Sequence, residues 1–264
     1  MPLKSSNPLL HQSSIMRFLS FSTTILLAAA TSLSLACSPP PESSDPNGDN
    51  PFELGSGAYP PPETVGFKIN HACLNVNNLT ASMDFYTNVL GMSHIFTFHA
   101  AEYFKIVYLG HISGGVNGSG YQTPEEQTRE KNNQKGLLEL VWLDPAVIEG
   151  DVLPPLAGPT QKSNTFSHFG LIVPDVQAMQ ERVIEAGVEI VKKVGEPIPN
   201  DRLGAVAVSY GLDRLPPGDQ VNELLAGILG TVDATGSQAF LMINDPDGNL
   251  IEVQPLIEEI PEQV

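Results

Sequence analysis

His168-Phe169-Gly170-Leu171-Ile172-Val173-Pro174-Asp175-Val176 is the stretch that decides the architecture, because the chain carries it twice. The earlier copy is His71-Ala72-Cys73-Leu74-Asn75-Val76-Asn77-Asn78-Leu79. Counted from each histidine, both have Leu at +3, Val at +5, Asn or Asp at +7 and an aliphatic at +8. Downstream of each stands an apolar run broken by one carboxylate: Leu137-Leu138-Glu139-Leu140 and Leu250-Ile251-Glu252-Val253. An internal repeat takes precedence over local signals because it determines the whole fold. Here it also yields two imidazoles and two carboxylates, a set of metal-ligating types.

The segments around the two copies repeat in the same order. In the first, alternation from Phe67 to Val76 predicts a half-buried strand. Thr80 to Leu90 has helical spacing, with Asn78 or Thr80 as N-cap and Gly91 as stop. Strands follow at His94–Phe98, Tyr103–Leu109 and Leu137–Leu143, with a Gly-rich polar loop from His111 to Lys135. In the second, Phe166–Val173 is a strand, Val176–Ala186 a helix ending at Gly187, and Val188–Val194 a strand. Phe240–Asn244 and Leu250–Gln254 form a hairpin over Asp245-Pro246-Asp247-Gly248. An insertion at about 195–237 separates them and contains one helix, Gln220–Leu229. Such an insertion is a surface loop or a lid over a site. The expected fold is therefore α+β, two βαβββ modules at 65–143 and 165–264 whose curved sheets pair around one cavity, joined by a Pro-rich linker at 144–164.

The N-terminal part reads differently. Arg17, an apolar run from Ile25 to Ala30 and the small-residue site Ser34-Leu35-Ala36 have the layout of a secretory signal peptide over residues 1–36, with Met16 as an alternative start. The run is too short for a comfortable membrane span, and a lipoprotein with Cys37 as the lipidated residue is a rival reading. Two sequons, at Asn78 and Asn117, agree with a eukaryotic secretory route and glycosylation. Residues 37–64 are a Pro/Ser/Gly tether unable to bury a core. Two cysteines are too few for a disulfide framework. A formal net charge of -17 argues against nucleic acid or an anionic membrane surface as partner.

Alternation along a strand puts His71, Cys73 and Asn75 on one face and Leu74 and Val76 on the other. Glu139 and Glu252 each break an apolar strand at equivalent positions. A carboxylate buried there is costly unless paired or bound to a cation. His71, Glu139, His168 and Glu252 are therefore the candidate metal ligands. His11, His94, His99 and His111 have no such repeat partner and read as ordinary surface or core histidines.

With these residues in view, the chain resembles the glyoxalase I family of the vicinal-oxygen-chelate superfamily, over about Val65 to Pro255 apart from the insertion. The segments that carry the resemblance are Asp84-Phe85-Tyr86-Thr87-Asn88-Val89-Leu90-Gly91-Met92, Leu138-Glu139-Leu140, the His168 stretch and Asp245-Pro246-Asp247-Gly248-Asn249-Leu250-Ile251-Glu252. It implies one divalent metal ion (Ni, Co, Zn or Fe) held octahedrally by His71, Glu139, His168 and Glu252, with two positions open. It further implies proton transfer between adjacent carbons of a hemithioacetal. In that chemistry the metal serves as Lewis acid, Glu252 leaves it to act as base, and Glu139 shares this on the other face. A small-molecule substrate and a monomer or homodimer go with it.

Two alternatives are an Fe(II) ring-cleaving dioxygenase and a non-catalytic small-molecule binder. Against them stand the glutamate at Glu139 and the retention of all four ligand positions. A His at the first position is similar to the glyoxalases that prefer nickel or cobalt to zinc. The glutathione clamps of that family do not recur: Asn75, Leu143 and Asn164 stand where Arg, Asn and Arg are expected. Lys192-Lys193 alone keeps basic character, so Lys192, Cys73 and Asn75 are the candidate substrate contacts. A secreted enzyme also meets little reduced glutathione.

Overall fold

A computed structural model describes residues 55, 57–112, 120–147, 153–158, 165–234 and 236–256. The leader, Cys37, Asn117 and Asn164 lie outside them, as does part of the tether. The first module runs β1 (His71–Asn75), α1 (Leu79–Asp84), β2 (Ser93–Ala101), β3 (Phe104–Gly110), α2 (Pro124–Glu130) and β4 (Leu137–Leu143). The second runs β5 (His168–Val173), α3 (Val176–Glu185), β6 (Ile190–Lys192), α4 (Ala205–Ser209), α5 (Asp219–Ala234), β7 (Leu241–Asn244) and β8 (Leu250–Pro255). Each module forms a four-stranded mixed sheet with the same order, β1-β4-β3-β2 and β5-β8-β7-β6. The expected α+β class with two βαβββ modules is the observed one.

The helix starts are equivalent as well. Asn78 Oδ1 accepts from Ala81 N and Asp175 Oδ1 accepts from Ala178 N, each at the +7 position of its repeat. This satisfies one of the N–H groups that the first turn leaves orphaned. The first helix then continues as a wider π turn over Phe85–Val89, which buries Phe85, Tyr86 and Val89.

Three local expectations are corrected. β1 begins at His71 rather than Phe67, because its parallel partner β4 begins opposite, at Leu137; Phe67 and Ile69, without a partner strand, are exposed. The polar segment 111–135 contains α2, whose start is a full capping box: Thr123 and Glu126 each accept from the other's backbone, and Pro124 opens the helix. The insertion holds two helices rather than one, and the longer extends over Asp219–Ala234.

One core joins the two modules. It takes Val107, Leu109, Leu138 and Leu140 from the first sheet and Leu241, Ile243, Ile251 and Val253 from the second. Between them pack Phe85, Tyr86 and Val89 from the first helical segment and Val176, Met179 and Val183 from α3. The hairpin turn of the second module clasps the first. Asp245, buried, accepts from Asp247 N, Asn249 N, Asn249 Nδ2 and Tyr86 Oη, the last at 2.8 Å. Asp247 Oδ1 accepts from the backbone and side chain of Asn77. Burial, then the charge of Asp245, pushes the Tyr86 phenol far up, so it stays a donor. Tyr86→Phe is expected to destabilise the protein by about 1–3 kcal/mol, because it leaves a buried carboxylate short of a donor. Urea unfolding measures this, and a midpoint equal to wild type would remove the clasp from the account.

Because side chains alternate across a strand, the residues between these core positions face away from the core. They are Tyr108 and Glu139 on the first sheet and Met242 and Glu252 on the second.

Candidate metal centre

Register places the two glutamates identically. His71 pairs with Leu137 and Cys73 with Glu139 between β1 and β4; His168 pairs with Leu250 and Gly170 with Glu252 between β5 and β8. Each histidine therefore sits one pleat from its glutamate on the same face. His71 Nε2 is 3.5 Å from Glu139 Oε2, and His168 Nε2 is 3.9 Å from Glu252 Oε1.

The residue preceding each histidine engages the other ring nitrogen. Asn70 Oδ1 lies 3.1 Å from His71 Nδ1, while Asn70 Nδ2 donates to the carbonyls of Lys131 and Gln134. That amide orientation is set by the two carbonyls, so Oδ1 can only accept and Nδ1 carries the proton. The Nε2 lone pair of His71 then faces Glu139 Oε2 and Tyr108 Oη, each at 3.5 Å, the position from which it would bind a cation. Ser167 Oγ lies 2.7 Å from His168 Nδ1 in the same relation. Anchoring of the non-ligating nitrogen is the usual support of a metal-binding histidine.

The pairs differ in what else touches them. Glu252 is buried and accepts from Tyr210 Oη at 3.0 Å and Gln254 Nε2 at 2.6 Å. Glu139 accepts from Cys73 Sγ at 3.5 Å, and Tyr108 Oη lies 3.5 Å from His71 Nε2. Burial and the neighbouring Glu139 push the Cys73 thiol up to about 11 and the Tyr108 phenol up to about 12. Burial and Glu252 push Tyr210 up as well. All three are held as protonated donors beside the carboxylates.

These donor sets fit a divalent cation. Two donors bound at 2.0–2.2 Å to one ion stand about 3–3.5 Å apart, which matches the 3.5 Å separation of the first pair, while the second pair at 3.9 Å stands wider. The four residues nevertheless assemble as two pairs and not as one group. Among the described residues, no three His, Cys, Asp or Glu side chains form a group able to hold a metal ion by themselves. The sequence left open whether the modules close their cavity within one chain or between two, and the four ligands do not gather into one group among the described residues of this chain. The apolar faces of both sheets are buried in the shared core, so the two ligand faces turn away from it; the second is covered by the insertion.

Other expected contacts are placed as follows. Lys192 is 1% exposed and its Nζ donates to the carbonyls of Lys193, Gln238 and Phe240. All three of its N–H bonds are used there, so it ties down the end of the insertion instead of gripping a substrate. Cys73 and Asn75 are exposed on β1 and line a cleft of about 340 Å³ with Pro155, Leu156 and Phe169. Asn78 is an exposed helix cap. Tyr108 and Tyr210 were not among the expected site residues. Tyr108 could have been found, since it stands at the centre of an apolar strand as Glu139 does; for Tyr210 no pattern in the insertion points to it.

The family profile described as Glyoxalase/Bleomycin resistance protein/Dioxygenase superfamily matches residues 68–211, more than half of the chain. The chain belongs to this superfamily. The matched span contains His71, Glu139 and His168, with Glu252 beyond its end. Among solved structures, the superfamily member is similar to the trypanothione-dependent glyoxalase I of Leishmania major, at 17% identity and a TM-score of 0.37, over 72% of this chain and 86% of that one. It is similar to TnmS3, an antibiotic-binding protein from Streptomyces sp. CB03234, at 15% identity and a TM-score of 0.36, over 72% of this chain and 95% of that one. Glyoxalase I from Zea mays matches at 18% identity and a TM-score of 0.37, over 70% of this chain and 43% of the maize chain, less than half its length. At these values the structural likenesses carry no argument about activity. Among the described residues, no helix is long and apolar enough to cross a membrane.

Proposed function

We propose that the protein is a metal-dependent lyase or isomerase of glyoxalase I type, acting on a hemithioacetal or a related α-oxygenated substrate. We further propose that its metal centre is completed by a second copy of the chain. The observation that supports this best is the repetition of one half-site at identical register. Each copy has a His with Nδ1 engaged, Nε2 directed at a Glu, and both side chains turned away from the core. Half a coordination sphere per module, facing outward, is what a two-fold pair of chains could close. β1 and β5, which carry the histidines, are also the edge strands of their sheets.

His71 and Glu139 of one copy would face His168 and Glu252 of the other and hold the ion between them. The ion, when bound, supplies Lewis-acid polarisation of two neighbouring substrate oxygens. Glu252 is the proposed base. It is buried, and Tyr210 and Gln254 hold its two oxygens in a set orientation. A positioned carboxylate of this kind can take a proton from one carbon and return it to the next. Among the described residues, exposed Asn75 carries no charge and Lys192 turns inward, so neither serves as a cationic clamp of the kind that grips the carboxylates of glutathione. This supports a substrate less acidic than the glutathione adduct.

Metal analysis of the purified protein, followed by assay with methylglyoxal and glutathione, tests the reading. About one nickel, cobalt or zinc ion per chain with turnover of the hemithioacetal, or of a less acidic thiol adduct, supports it. Iron with oxygen uptake supports ring cleavage instead. Protein that retains no divalent metal after reconstitution overturns both.

A further inference from the structure

We infer that the insertion at 195–237 is a built wall of the second half-site, and that it delivers Tyr210 as a positioning residue for Glu252. The inference rests on the metal-centre reading above and assigns a role to residues outside the repeat.

The argument begins with register. Across β3 and β4, Tyr108 stands directly opposite Glu139; across β7 and β8, Met242 stands directly opposite Glu252. The two positions are equivalent, yet only the first carries a phenol. Met242 is fully buried and has no polar atom to offer the carboxylate except a weak thioether acceptor. The second half-site nevertheless has its phenol. Tyr210 reaches it from the insertion, and the resulting geometry repeats the first. The His71 and Tyr108 rings meet edge-on, with centroids 5.4 Å apart at 65°; the His168 and Tyr210 rings meet at 5.7 Å and 69°. Two chain segments of different origin thus place the same group against the same His–Glu pair. A tyrosine needed only to fill space would have no reason to reproduce that angle and that distance; Tyr210 adds a 3.0 Å hydrogen bond to the carboxylate, where Tyr108 Oη lies 3.5 Å from the histidine Nε2.

The insertion is also built firmly enough to hold that group in place. Tyr210 ends α4, and Gly211 follows in the left-handed region at φ 70°, turning the chain sharply after it. Ile198, Val206 and Leu229 from the insertion pack on Met242 and Leu250 of the sheet, with Tyr210, Leu212 and Val232 against them. Met242 therefore gave up the polar role and became the seat on which the insertion rests. The two ends of the insertion are tied through Asp233, which accepts from Ile198 N and from Ser237 Oγ. With Gln254 Nε2 on Oε1 and Tyr210 Oη on Oε2, the carboxylate of Glu252 is gripped at both oxygens. Glu139 accepts from Cys73 at 3.5 Å and lies beside Tyr108, but it lacks an equivalent of Gln254, since Val141 occupies that position. The second glutamate is the better oriented of the two.

Titration of metal-stripped protein with cobalt(II) chloride tests this without reference to activity. Tyr210→Phe removes one hydroxyl and no volume from the packing on Met242. It is expected to weaken cobalt affinity about tenfold, the usual effect of losing a group that orients a metal ligand, with a native circular-dichroism spectrum and a thermal midpoint lowered by the loss of one donor to a buried carboxylate. Tyr103→Phe, on the exposed turn between β2 and β3, is expected to change neither. Tyr210→Phe binding cobalt as wild type does, while Glu252→Gln binds it poorly, would overturn the inference and leave the metal-centre reading standing. Wild-type protein that binds no cobalt would overturn both.

Discussion

Glu252→Gln is expected to lower kcat/KM by about 10²–10⁴-fold while leaving a folded protein. Both halves of that expectation follow from the surroundings of the side chain. The carboxylate is buried on the outward face of β8, and its two oxygens accept from Tyr210 and Gln254. An amide has the same shape but one acceptor in place of two. Tyr210 can rotate its hydroxyl to accept from the new NH2, so one hydrogen bond is reversed and none is necessarily lost. The cost to stability is then about 1 kcal/mol. Function suffers far more, because the amide cannot take up a proton and is a poor anionic donor. Glu139→Gln is expected to be milder in turnover, since that carboxylate is less firmly held. Steady-state kinetics with methylglyoxal and glutathione, or with whichever thiol adduct wild type turns over, alongside circular dichroism, measures both. Residual activity within tenfold of wild type would refute Glu252 as the base.

Mixing two dead variants is expected to restore a site that neither has. One variant carries His71→Ala with Glu139→Gln, the other His168→Ala with Glu252→Gln. Each alone lacks half of every centre. If the centre lies between two chains, a mixed dimer contains one centre with both halves damaged and one with both intact. Random reassortment of equal amounts makes about half the dimers mixed, so metal content and activity should return to about one quarter of wild type. If each chain closes its own centre, mixing restores nothing. The expectation comes from the core. Leu138, Leu140, Ile251 and Val253 are all buried in it, so Glu139 and Glu252, which alternate with them, face away from it, and among the described residues the two His–Glu pairs do not gather into one group within the chain. Unfolding and refolding the mixture together supplies the exchange.

The repeat was legible because its signals are local. A histidine at the start of an alternating run, an Asn or Asp seven residues on to cap a helix, and a carboxylate amid aliphatics can each be read without knowing what lies nearby. That reading reached both modules and all eight strands to within a few residues, and it singled out four candidate ligands that stand as two His–Glu pairs. The signals it lacked were of two kinds. α2 and α4 are short, and the capping box at Thr123–Glu126 was hidden inside a polar segment. Tyr210 lies in an insertion without periodicity, and it matters only because Val206 and Leu229 happen to pack on Met242.

Residue types and their spacing were enough to determine a superfamily fold of two equivalent modules, each bearing one His and one Glu on the same face. They could not say which way those faces turn. That depends on how the two apolar faces are buried. The clasp from Tyr86 and Asn77 to Asp245 and Asp247, together with the common core, packs the apolar residues of both sheets with those of the helices of both modules. Hydrophobic burial has no direction of its own, so only the tertiary packing could decide that the two His–Glu pairs turn away from the common core.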